Sequence, residues 1–178
     1  MGYLCSARHG AGSRRSEVWK LVFAPFLLLV SANCLAELVV TSPSEACSLL
    51  SESGLPGGTW RDQEDGTWGC SSDYLDIGAG SLPNNLAYYV DGGVVSITQV
   101  KLVLNYNKPS SKESATKALL SASSRLSQKA LGVKLPASIS KAINSGKPTT
   151  SEAGSGVIDV LREDWPNGKG YEVHVVMR

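Results

Sequence analysis

Histidine, cysteine and clustered carboxylates are the side chains best able to do chemistry, and this chain spends them sparingly. His174 is the only histidine beyond residue 36. That removes the histidine-based hydrolase triads and the multi-histidine metal sites. It alternates outward on a final strand beside Glu172, the setting of a surface histidine. Cys47 and Cys70 are the only cysteines beyond the same point. Two thiols allow one pairing, and in an oxidising compartment they are expected to be joined. With both thiols committed, no set of donors at ligand spacing remains, so neither a metal nor another cofactor is expected.

The carboxylates Asp62, Glu64 and Asp65 could hold calcium or act as an acid/base pair in glycoside cleavage. Gly66, however, occupies the position where a calcium loop needs its third ligand, and the stretch reads better as a solvated hairpin tip. Ser145-Gly146-Lys147 has the look of a phosphate loop, but Pro148 replaces the required Ser or Thr and the upstream glycine is missing. It reads as punctuation at a helix end. The large aromatics after residue 36 include Trp60, Trp68 and Trp165 with Tyr74, Tyr88 and Tyr89. They suit stacking on a carbohydrate or peptide if exposed, and packing of the first hairpin beside the disulfide if buried; the second is the expectation for Trp60 and Trp68.

Charge is ordered along the chain. Residues 37–100 carry nine acids against one base, Arg61, whereas residues 101–147 carry nine bases against one acid, Glu113. Such a split either pairs off internally or gives the surface a basic helical side and an acidic hairpin side. Screened surface pairs contribute only about 0–1 kcal/mol each, so the second outcome bears on partner choice rather than stability. Candidate binding residues are therefore Lys117, Arg125 and Lys129 on the helical side and Asp62, Glu64 and Asp65 on the hairpin. Nucleic acid is not an expected partner, since no RNA- or DNA-binding motif is present.

These residues need elements to hold them. Ser42-Pro43 opens a first helix, with Ser42 as N-cap, and Gly54 ends it. Residues 59–61 and 67–70 flank a hairpin closing at Asp65-Gly66. Residues 85–90 and 94–106 flank Asp91-Gly92-Gly93 in the same way. On the long strand Val100, Leu102, Leu104 and Tyr106 alternate with Gln99, Lys101 and Asn105, the period of a strand with one dry face. Ser110 and Glu113 are spaced as a capping box, opening a helix to residue 131 whose stripe runs Ala115, Ala118, Leu119, Ala122, Leu126 and Ala130. Gly132 stops it. Pro136 starts a shorter helix ending at Gly146, a loop through Pro148 and Gly154 follows, and residues 156–164 and 171–177 make a last pair of strands. Tyr171, Val173, Val175 and Met177 are expected to face the core.

The first 36 residues have a different character. Arg8, Arg14, Arg15 and Lys20 precede an uncharged apolar run from Leu21 to Val30, and Ser31-Ala32-Asn33-Cys34-Leu35-Ala36 follows. That is the layout of a cleavable signal peptide with its cut after Ala36. The run is too short to cross a bilayer and contains Pro25. Asn33 precedes Cys34 where a lipoprotein signal carries a small residue, which argues against acylation there.

Composition, 42% hydrophobic and 19% charged, fits a folded domain over residues 37–178. The expected class is α+β, an antiparallel sheet with helices packed on one face. The order helix, antiparallel strands, helices, two strands resembles that of type III secretion chaperones without their last helix, a likeness of topology carried by no motif. The functional expectation is an exported, non-enzymatic binding protein, periplasmic or extracellular, acting on another protein or an envelope component. The alternative is a small envelope hydrolase using paired carboxylates drawn from Asp62, Glu64, Asp73 and Asp76.

Overall fold

A computed structural model describes residues 37–178; the export segment read over residues 1–36 lies outside them. Eight strands form one antiparallel sheet: β1 (Arg61–Asp62), β2 (Trp68–Ser71), β3 (Leu75–Ile77), β4 (Asn84–Gly92), β5 (Ile97–Tyr106), β6 (Thr149–Ala153), β7 (Gly156–Asp164) and β8 (Tyr171–Met177). Their spatial order is β1-β2-β4-β5-β8-β7-β6, with β3 pairing β4 beyond the end of β2. The helices are α1 (Pro43–Ser48), α2 (Lys112–Leu131) and α3 (Ala137–Ser145). This is the α+β class read from the sequence. The order of elements also holds, except that β3 is added before the two long helices and β6 after them.

Alternation decides which residues the sheet buries. Leu86, Tyr88 and Val90 of β4, Val100, Leu102, Leu104 and Tyr106 of β5, and Val173, Val175 and Met177 of β8 point to one side and are buried. Against them lie Ala46, Cys47 and Leu50 from the α1 region, Ala115, Leu119, Leu126 and Ala130 from α2, and Ile139 and Ile143 from α3. All three helices thus cover the same face. Cys47 and Cys70 are bonded, with an S–S distance of 2.03 Å, tying α1 to β2. The turn after α1 crosses this link closely: a Cβ on Gly57 would fall 2.4 Å from the Cys47 carbonyl oxygen, so only glycine fits there.

Several local readings change. The capping box does not form. Pro109 opens a short 3-10 turn over Pro109–Ser111, Ser111 takes the cap position with no side-chain bond, and Glu113 reaches forward to Lys117 at 2.9 Å instead. The α2 start is held by buried Asn84, whose Oδ1 accepts from the Lys108 amide at 2.8 Å and whose Nδ2 donates to the Ser111 carbonyl at 3.2 Å. Ser42 does cap α1 by position, but its hydroxyl lies against Ser44 Oγ rather than a helix amide. The loop expected after α3 contains β6, which pairs β7 from Thr149↔Val160 to Ala153↔Gly156. Its sequence, Thr-Thr-Ser-Glu-Ala, carries almost no apolar signal because only one side of an edge strand touches the core. β3 is short and was likewise hidden among polar residues.

Candidate functional site

The sequence-chosen residues are spread over the molecule. On α2, Lys117 is exposed and paired with Glu113 one turn away. Lys129 leans back on the first helical region, its Nζ donating to the Leu49 carbonyl at 2.9 Å and standing 3.8 Å from Glu52. Arg125 lies exposed at the rim of a groove of about 250 Å³ lined by Leu55, Leu75, Leu86 and Ala118. Asp62, Glu64 and Asp65 form the tip between β1 and β2. Asp62 Oδ1 accepts from the Glu64 amide at 2.8 Å, and Asp65 Oδ1 accepts from the Thr67 amide at 2.9 Å and its hydroxyl at 2.6 Å. Those bonds from Thr67 hold the Asp65 carboxyl below its ordinary range. Both aspartates are thus engaged in fixing the turn.

Of the hydrolase carboxylates, Asp62 and Asp76 stand apart. Asp62 pairs with β2 beside Gly92, at one end of β4, while Asp76 stands opposite Asn85 at the other. Trp60 packs against the core and donates its Nε1 to the Val94 carbonyl at 3.1 Å, so it braces the second hairpin as well as the first. Of the six ion pairs among the described residues, Lys101–Asp91 and Lys129–Glu52 join the acidic part of the chain to the basic part. The remaining four are local or lie in the last two strands.

Chemistry gathers instead on the sheet face that none of the described helices covers. Register lays its side chains out in rows across β4, β5, β8 and β7. One row runs Asn85, Asn105, Glu172, Glu163; the next runs Ala87, Val103, His174, Leu161; a third runs Tyr89, Lys101, Val176, Asp159. Small apolar residues in the middle rows, Ala87, Val103 and Val176, are buried beneath taller neighbours, and Leu161 is 48% exposed. Lys101 lies 5.1 Å from the Tyr89 ring centroid and 4.0 Å from Asp91, which also accepts from Gln99 Nε2 at 2.8 Å. Burial, with Tyr74 beside it, pushes the Tyr89 hydroxyl up to about 12.

A family model spans residues 33–167, reaching the tip of the last hairpin. The chain belongs to the family of unknown function DUF6030. The match covers β1 to β7 and all three helices, and it stops before β8. No curated protein and no solved structure matches the chain.

β8 contributes the most reactive part of the uncovered face. His174 Nε2 lies 2.8 Å from Glu172 Oε2, and Trp165 Nε1 donates to Glu172 Oε1 at 3.3 Å. Trp165 is folded back over the hairpin tip, its backbone N–H donating to the Gly170 carbonyl at 3.1 Å. A Cβ on Gly170 would fall 2.5 Å from the Trp165 ring, so the glycine is what lets the indole lie flat there. Sequence reading placed Glu172 and His174 side by side and facing outward. What it lacked was the register of β7 on β8, which sets Glu163 directly across from Glu172. The alternation of both strands was visible in the sequence, but a single residue of slip would have sent Glu163 to the other face.

Proposed function

We propose that the chain is an exported, non-enzymatic binding protein that holds another protein or an envelope component on the uncovered face of its sheet. One observation carries this: β4, β5, β8 and β7 present a continuous surface, without a helix over it, that mixes half-buried Tyr89 and Trp165 and exposed Leu161 with Lys101, Asp91 and Glu172. An antiparallel sheet face left to water is ordinarily polar throughout. Aromatic residues set among charges of both signs are the make-up of a protein-binding patch. The Cys47–Cys70 bond supports export, because such bonds persist in oxidising compartments. Among the described residues no helix is long and apolar enough to cross a membrane. A second contact surface is favoured by Arg125, whose charge borders the apolar groove between α2 and β3. Lys117 extends that basic side, and the exposed Asp62, Glu64 and Asp65 tip is its acidic counterpart.

Capture from envelope extract separates the two surfaces. Leu161→Asp changes an exposed side chain and should leave melting unchanged while weakening capture about tenfold, equivalent to about 1.4 kcal/mol. Reversing Lys117 and Arg125 to Glu should have a smaller effect, one that moderate salt reproduces in the parent chain. Capture indifferent to Leu161→Asp but abolished by the reversals would move the site to the helix.

A further inference from the structure

The β7–β8 register places Glu163 opposite Glu172, with His174 next on the same face of β8. One donor atom from each lies within 4.8 Å of the others. Like charges directly opposite one another destabilise a sheet. Among the described residues neither glutamate has a lysine or arginine ion-pair partner. The neighbouring cations are engaged elsewhere: Lys101 with Asp91, Arg162 with Asp164 and Arg178 with Asp159. A second observation comes from β5. Asn105 stands opposite Glu172, on the side away from Glu163. Its Nδ2 donates to Asn85 Oδ1 at 2.8 Å, and its own Oδ1 is buried with no donor. A buried acceptor left unpaired is costly. The row therefore holds an excess of electron-pair donors over anything that could accept from them.

We propose that Glu163, Glu172 and His174 bind one divalent cation of the zinc class. An imidazole with two carboxylates selects a transition metal over calcium or magnesium, which take oxygen donors. Three protein donors leave a fourth position open. Glu172 Oε2 and His174 Nε2 are hydrogen-bonded at 2.8 Å, and they need part by only about 0.5 Å to reach the spacing of neighbouring donors on a tetrahedral ion with bonds of about 2.0–2.1 Å. Trp165, donating to the other oxygen of Glu172, fixes that carboxylate's orientation, as outer partners of metal ligands do. Glu163 is exposed and is free to swing onto the ion. This revises the metal-free expectation from the sequence, where His174 stood alone because Glu163 could not be brought to it without the register. It does not depend on the face also holding a partner.

The test needs no partner. The full chain, exported and then stripped by a chelator, is titrated with zinc chloride by calorimetry and melted with and without the ion. The expected result is one equivalent bound per chain and a higher melting temperature, with no matching effect of calcium chloride. His174→Ala and Glu163→Gln should each weaken zinc binding by at least about tenfold, the loss that even an outer partner of a metal ligand can produce. Glu163→Gln should also raise the melting temperature of the metal-free chain, because it removes the like-charge pair. Lost binding in that variant therefore does not reduce to a damaged fold. Glu64→Gln, on the distant hairpin tip, should bind as the parent does. Absence of zinc binding by the parent, or binding that survives both His174→Ala and Glu163→Gln, overturns the proposal.

Discussion

Tyr88 and Tyr89 are neighbours on β4 and look to opposite sides of the sheet. Tyr88 is fully buried among the helices, where its hydroxyl donates to the Ala46 carbonyl at 2.8 Å and burial drives its ionisation above the ordinary range. Tyr89 is half-buried on the uncovered face, beside Lys101 and Tyr74. The contrast extends along every central strand. One face fastens α1, α2 and α3 to the sheet, while the other carries tyrosine, lysine, carboxylates and histidine that the fold does not need for burial. Adjacent residues thus differ in what they give to stability, and changes on the second face can be made with little cost to the first.

Substitutions at Leu102 and Lys101 give the strongest contrast. Leu102 is fully buried, so Leu102→Ala should cost about 2–5 kcal/mol, the usual range for a buried leucine. Lys101→Ala, one residue away on the other face, should cost no more than about 1 kcal/mol. Chemical denaturation of both variants measures the difference, and equal losses would mean that the uncovered face is structural.

Next in size is the disulfide. Cys47 and Cys70 are separated by 23 positions in sequence, a loop whose closure the chain-entropy model values at about 3 kcal/mol. Reduction should lower the melting temperature by several degrees, and all of that loss belongs to the covered face, where the bond lies. A reduced protein that melts unchanged would show that the packing of α1 suffices alone.

The smallest effect is read by alkaline titration of tyrosine absorbance. Tyr89 ionises near 12 in the folded chain, against an unfolded value of about 10. Its folded pKa is raised, so its contribution to stability is whole below pH 10 and is lost as pH climbs from 10 towards 12. Tyr89→Phe should remove that late-titrating group and leave neutral-pH stability nearly unchanged. Tyr88→Phe should instead cost about 1–2 kcal/mol at neutral pH, by leaving the Ala46 carbonyl without its donor. A reversed pattern would exchange the roles assigned to the two faces.

Most of the covered face was legible, because burial writes a period into the sequence. The alternation through Val100, Leu102, Leu104 and Tyr106, the small-residue stripe of α2 and the glycines at 54, 132 and 146 each matched a structural role. β3 and β6 were not legible, since a short or edge strand with polar residues carries no such period. The uncovered face was half legible. Which residues faced outward could be read from alternation, but which of them stood together could not, because register between strands distant in sequence is set by tertiary packing. The charge split pointed to α2 and the first hairpin, yet Lys129, Asp62 and Asp65 turned out to be occupied in holding local structure.

The position of β8 has a consequence for how the chain becomes a protein. The last of the described strands in sequence is an inner strand in space, paired with β5 on one side and β7 on the other. Until residues 171–177 have left the ribosome, β5 and β7 each present an open edge, and the sheet exists as two unjoined parts. The distant pairing of β5 with β8 must wait for the intervening helices, which makes closure a late and comparatively slow event. A chain stopped anywhere before Tyr171 would expose two hydrogen-bonding edges to its neighbours, a route to aggregation.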